Sequence, residues 1–144
     1  MSRESTVFII ADDAAVRDAL SISLSMDGLK LKVYCSGSAF LNAYTADRPG
    51  CLLMDLSVPE LDCLAVQQAL IRRNLLLPII FLTDFGARND SILALDSGAF
   101  CLLEKPVSRS LLVNTIHEAI QYDVNRRSTK NNKIEKDEFS SAGS

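Results

Sequence analysis

Four short stretches of the chain carry the side chains that could do chemistry together. They are Asp12 and Asp13 in "FIIADDAAVRDAL", Asp55 in "CLLMD", Thr83 with Asp84 in "PIIFLTD", and Glu104, Lys105 and Pro106 in "FCLLEKP". Each set stands where an apolar run ends. Carboxylates gathered in one place suit a hard divalent cation such as Mg²⁺, which takes oxygen ligands and keeps several waters. A hydroxyl and an ammonium beside them suit a phosphoryl group, because both donate hydrogen bonds to its oxygens. Taken singly, each residue is more readily an ordinary cap or surface side chain. An Asp ahead of a helical stretch accepts from backbone N–H groups that lack a partner within the helix, and either Asp12 or Asp13 can fill that role alone. The joint occurrence at strand ends is what favours a site.

The elements that must position these residues are legible as alternating patterns. "TVFIIA" (6–11), "LKLKVYC" (29–35), "CLLMD" (51–55), "PIIFLT" (78–83) and "FCLLE" (100–104) read as five strands. The continuous apolar runs suit central strands buried on both faces, whereas the alternation in "LKLKVYC" suits an edge strand with one wet face. Helical stretches are predicted at 14–26, 37–46, 62–74, 88–97 and 108–122, the last with Leu111, Leu112, Thr115, Ile116, Ala119 and Ile120 as one stripe. Five strands alternating with five helices predict a doubly wound α/β fold, a five-stranded parallel sheet with right-handed crossovers. Ligands on such sheets collect at the carboxyl ends of the strands.

Composition bounds the rest. A chain of 144 residues that is 48% apolar suits one domain with one well-buried core. No apolar run is long enough to span a bilayer and "MSREST" lacks a signal-peptide layout, so a soluble, cytoplasmic chain without a membrane partner is expected. Cys35, Cys51, Cys63 and Cys101 form no C-x-x-C pair and His117 is the single histidine, which leaves no pattern for a soft-metal cluster. Three of the cysteines lie in or beside apolar runs and are expected to be buried or half-buried thiols. A net charge of −3 weighs against nucleic-acid binding by the body of the chain. From 123 to 144 the sequence turns polar, and this segment is expected to be a linker or tail that cannot order itself, with Arg126, Arg127, Lys130, Lys133 and Lys136 on a solvated tether. The domain boundary is thus placed at 122, and the tail reads as the start of a tether to a further domain outside this chain.

With these residues in order, the chain resembles the receiver domain of two-component response regulators. The likeness spans about 5–122 and rests on "DDAAVRDAL", "LLMDLSVPELD", "IIFLTDFG", "SGAF" and "EKP". The separations from Asp55 to Thr83, 28 residues, and from Thr83 to Lys105, 22 residues, are similar to those of the branch that carries a C-terminal LuxR-type helix-turn-helix. The resemblance implies a flavodoxin-like (βα)5 fold with strand order 2-1-3-4-5. It implies that Asp55 is the phosphoacceptor, attacking phosphohistidine on a sensor histidine kinase, with Thr83 turning toward the phosphoryl oxygen and Lys105 pairing with it. It also implies Mg²⁺ held by Asp12, Asp55 and the backbone carbonyl of Ser57, with Asp13 as an alternative ligand, and a cis-proline turn at Pro106 that aims the lysine inward. The expected role is signalling and transcription control, not enzymatic turnover. Contact with DNA would run only through an effector domain missing from this chain, and a homodimer would form through 88–122.

Several positions depart from the family pattern. Asp12, 43 residues before Asp55, matches the metal-binding acid, so the usual acidic pair falls on Ala11 and Asp12, and Asp13 is expected to cap the first helix. Losing one carboxylate weakens attraction for a divalent ion by up to ~7 kcal/mol before water offsets much of it. Asp84 replaces the small residue usual after the threonine and adds negative charge to the rim; it or Asp13 is a candidate to supply the missing charge. Cys63 stands at an expected glycine, and Leu102 at an expected aromatic three residues before Lys105. These departures keep open a second reading, an atypical receiver that works as a phosphorylation-independent protein-interaction module. A third, a small hydrolase or phosphatase, lacks a visible His or Ser nucleophile arrangement.

Overall fold

The alternation of apolar runs and helical patterns is realised, in the computed structural model, as one five-stranded parallel sheet of order β2-β1-β3-β4-β5. The structure describes residues 5–45, 48–55, 60–75, 77–84 and 98–143, and for 60–62 and 129–143 it describes the backbone alone. The strands are β1 (Thr6–Ile10), β2 (Lys30–Tyr34), β3 (Gly50–Asp55), β4 (Ile79–Thr83) and β5 (Cys101–Glu104). Interleaved with them are α1 (Ala14–Ser25), α2 (Gly37–Ala43), α3 (Glu60–Arg72) and α4 (Arg109–Gly143). The helical stretch expected at 88–97 lies outside the described residues. β1, β3 and β4 are buried along their whole length, as their continuous apolar runs require, and β2 lies at the edge with Lys30 and Lys32 exposed.

Alternate residues of each strand point to opposite faces, which divides the core in two. On one face Phe8, Ile10, Leu52, Met54 and Phe81 meet Phe40 of α2 and Cys63, Val66 and Leu70 of α3. On the other, Val7, Ile9, Leu53, Ile80 and Leu82 meet Leu24 of α1 and Leu112, Val113, Ile116 and Ala119 of α4. Each fully buried side chain of this size contributes about 1.5–3 kcal/mol, so the sheet is a stiff platform for whatever sits at its edges.

Three expectations are corrected. The buried stripe of α4 runs through Val113, 8% exposed, and not through Leu111, which is 49% exposed. At 3.6 residues per turn, Leu112, Val113, Ile116 and Ala119 fall within an arc of about 120°, whereas Leu111 lies about 160° from Val113. Cys35, one step past the end of the edge strand, is exposed, because an edge strand leaves its last side chains in solvent. Finally, α4 does not end at 122 but continues to Gly143. From 123 to 142 the sequence contains neither Gly nor Pro, so no residue breaks the helix, and Asp123 occupies the next position of the buried stripe with no exposed surface.

Candidate functional site

Parallel pairing in register brings the carboxyl ends of β1, β3, β4 and β5 to one edge. Ile10 lies opposite Met54, Asp55 opposite Leu82, and Thr83 opposite Glu104. Asp55 closes β3 and is 1% exposed, a carboxylate carried out of water by a strand whose other members are apolar. Such burial is costly unless a cation is near. Lys105 supplies one: its Nζ lies 2.6 Å from Asp55 Oδ2, with the lysine side chain 32% exposed. The lysine backbone is fixed by its own N–H donating to Thr83 O at 2.7 Å, and the Lys105–Pro106 peptide is cis. Thr83, at the end of β4, is 2% exposed. The same ammonium faces Asp84 Oδ1 at 4.0 Å, a carboxylate that stands 85% exposed at the rim.

The loop after β1 forms the neighbouring wall. Ala11 is fully buried, and its N–H donates to Tyr34 O at 3.2 Å. Asp13 has extended backbone and caps α1, its Oδ1 accepting from Ala15 N–H at 2.8 Å. Asp12 is left exposed between them. Arg17, one turn into α1, donates from Nη1 to Ala11 O at 2.7 Å and to Asp12 O at 3.0 Å, which pins the loop that presents Asp12. The position of Arg17 was not singled out from the sequence; an Arg in the first turn after an acidic loop was the available signal.

Of the expected site residues, the structure brings Asp55 and Lys105 into contact, places Thr83 on the adjacent strand end and bonds it through its backbone to Lys105. Asp84 joins the lysine. Asp13 is engaged as a helix cap, and Ser57 lies outside the described residues. For Mg²⁺ the available donors are hard oxygens, the carboxylates of Asp12 and Asp55, which is the right chemistry for that ion. The set is sparse: Ala11 has no donor side chain, and among the described residues no three Asp, Glu, His or Cys side chains gather closely enough to hold a metal. Cys63, at the expected glycine, is fully buried in α3, and Leu102 packs partly buried against the α2–α3 core.

A second charged group, at the opposite edge of the sheet, was missed by sequence reasoning. Asp123 is fully buried; its Oδ2 accepts from Gly50 N–H at 3.0 Å and from Arg127 Nε at 2.9 Å, and its Oδ1 pairs with Arg126. Gly50 itself is required by the neighbouring strand, since a Cβ there would run into the carbonyl oxygen of Thr6. Burial, with the Asp123 charge adding to it, raises the Cys51 thiol far above its ordinary range. Burial likewise raises Tyr44, against the opposing charge of Arg127. The D-x-x-R-R spacing, which puts two cations one turn beyond an acid, was the only trace of the cluster in the sequence.

Comparison with known proteins agrees with this architecture. Residues 7–117 match the family described as the response regulator receiver domain. The transcriptional regulatory protein TdiR of Thauera aromatica is 35% identical over 116 residues, covering 81% of this chain and 51% of its own length. The response regulator protein TodT of Pseudomonas putida is 33% identical over 126 residues, 88% of this chain and 56% of its own. The chain thus spans about half the length of these curated relatives. Among solved structures, response regulator StyR superposes with a TM-score of 0.82 at 27% identity over 96% of this chain and 70% of its own. Full-length FixJ from B. japonicum gives 0.72 at 29% identity over 84% of this chain and 59% of its own. With the sheet order, the Asp55–Lys105 pair and these matches together, the chain belongs to the response regulator receiver domain family.

Proposed function

We propose that Asp55 is the phosphoacceptor of a two-component signalling pathway, modified by a sensor histidine kinase to control transcription through an effector domain outside this chain. The observation that carries the reading is the 2.6 Å contact between Lys105 Nζ and the strand-end carboxylate of Asp55. A carboxylate oxygen of Asp55 attacks phosphorus, the P–N bond of phosphohistidine breaks, and the imidazole leaves with the electron pair, giving an acyl phosphate. Lys105 balances the carboxylate before transfer and is within reach of a phosphoryl oxygen after it; Thr83 adds its hydroxyl from the next strand. Asp12, Asp55 and the Ser57 carbonyl would hold Mg²⁺, which neutralises charge on the transferring group when bound. DNA is met only through the effector domain, and the 88–122 face is the proposed homodimer surface. Leu102, lacking an aromatic ring, makes the switch into that face a muted one.

The buried, donorless Ala11 and the acidic Asp84 favour the second reading, a protein-interaction receiver with little phosphorylation. Intact mass after incubation with a small phosphodonor and Mg²⁺ separates the two. The first reading expects one added phosphoryl mass on the wild type and none on Asp55→Asn; an unmodified wild type, or an adduct on Asp55→Asn, contradicts it.

A further inference from the structure

The ammonium of Lys105 serves two carboxylates of unlike standing. It lies 2.6 Å from Asp55 Oδ2, which is buried, and 4.0 Å from Asp84 Oδ1, which is exposed at the rim. Two carboxylates against one ammonium at those distances lie less than about 7 Å apart, a separation at which a fixed charge is felt even through water. An incoming phosphodonor must bring its own negative charge past Asp84 to reach Asp55. We propose, resting on the phosphoacceptor reading of Asp55, that Asp84 is a specificity-determining residue: its carboxylate filters phosphodonors by charge and disfavours small, doubly negative ones.

The physics is one-directional. Asp84 repels the donor in proportion to the donor's charge, and it draws on the same lysine that must balance the phosphoryl group. At about 7 Å and a water-like dielectric, each extra negative charge on the donor lowers its local concentration about threefold. The screening follows ionic strength because Asp84 is exposed. A protein donor can bring its own cation to the rim, whereas a small anion cannot. Asp84 thus biases the site toward a protein donor without touching the reacting atoms.

Two donors of different charge test this on the chain as it stands. Acetyl phosphate, a dianion near neutral pH, transfers when an Asp55 oxygen bonds to phosphorus and acetate leaves with the electron pair of the broken P–O bond. Phosphoramidate, with one net negative charge, transfers when the P–N bond breaks and its protonated nitrogen leaves as ammonia with the electron pair. The readout is the ratio of initial phosphorylation rates with the two donors, at equal Mg²⁺ and low salt. In Asp84→Asn the ratio of acetyl phosphate to phosphoramidate rates rises about threefold over wild type, Asp84→Glu restores the wild-type ratio, and high salt narrows the difference. A ratio equal in all three proteins, even if both rates rise together as for relief of steric crowding, overturns the filter. Absence of any adduct in wild type and Asp84→Asn alike overturns the phosphoacceptor reading instead, and the filter falls with it.

Discussion

β3 begins and ends beside a buried aspartate, and the two are treated in opposite ways. At its carboxyl end Asp55 faces Lys105, itself a third exposed and shared with Asp84. At its amino end Gly50 N–H meets Asp123, which also pairs with both Arg126 and Arg127 from its own helix. Two guanidinium groups and an amide over-balance Asp123 and lock it; the ammonium that faces Asp55 is itself part-exposed and shared with a rim carboxylate, which leaves the cation at that end open to solvent. Charge at the amino edge ties α4 to the sheet, and charge at the carboxyl edge serves the proposed phosphotransfer. Burial alone does not separate the two roles, since Asp55 and Asp123 are both essentially inaccessible; the origin of the facing cations does, one from another strand end and shared with the rim, two from the next turn of the aspartate's own helix.

The sharpest way to break the comparison is at the locked end. Asp123→Ala removes the carboxylate that two arginines share and leaves Gly50 N–H unsatisfied, at an expected cost of about 3 kcal/mol in chemical denaturation. Gly50→Ala, which forces a methyl group against Thr6 O, should cost a similar ~3 kcal/mol. Neither should alter the rate of phosphoryl incorporation under native conditions. If Asp123→Ala proves neutral in stability, the anchor is not one.

At the open end the order reverses. Asp55→Asn removes a buried charge that faces a lysine one-third exposed to water, so unfolding free energy should change by no more than about 1 kcal/mol in either direction. A loss as large as that of Asp123→Ala would make the two ends equivalent and remove the distinction.

An alkaline titration sharpens the same contrast. Cys51 is buried beside the Asp123 anchor and its folded pKa is raised. Above the unfolded thiol's ordinary value the unfolded chain gives up a proton that the folded one keeps, so stability present below about pH 9 declines as pH rises. The decline should be shallower in Cys51→Ala, by up to about 1.4 kcal/mol per pH unit, read from denaturation midpoints between pH 8 and 10. Tyr44, also raised, adds its own loss from about pH 10 upward. A slope identical in wild type and Cys51→Ala would show that the thiol ionises alike in both states.

The smallest effect concerns the two adjacent acids. Asp13→Ala should cost about 1 kcal/mol of stability through the lost α1 cap and leave Mg²⁺ titration unchanged, whereas Asp12→Ala should lose Mg²⁺ binding. Loss of Mg²⁺ in both variants would make Asp13 a ligand as well as a cap.

The open end was far more legible in the sequence than the locked one. Continuous apolar runs announced buried strands, and the polar residues that close those runs had to fall at one sheet edge once pairing was parallel; Asp55, Thr83 and Lys105 could thus be read off together. Even the Asp13 cap followed from its place ahead of α1. Asp123 was hidden because a charged residue within a polar stretch looks solvated, and only tertiary contact with Gly50, 73 positions away, makes it buried. Leu111 and Val113 were exchanged for a related reason: a helical stripe is fixed to within one residue only by what it packs against. The loop around Arg17 was illegible because its hydrogen bonds go to backbone carbonyls, which every residue has.

The central claim is that Asp55 takes the phosphoryl group, and chemical trapping tests it most directly. Treating the phosphodonor-exposed chain with borohydride reduces an aspartyl phosphate to homoserine, which peptide mass mapping locates. The account predicts homoserine at position 55 and no other aspartate converted, with no conversion when phosphodonor is omitted. Homoserine at Asp12, Asp13 or Asp84, or none anywhere despite Mg²⁺ and excess donor, would contradict it.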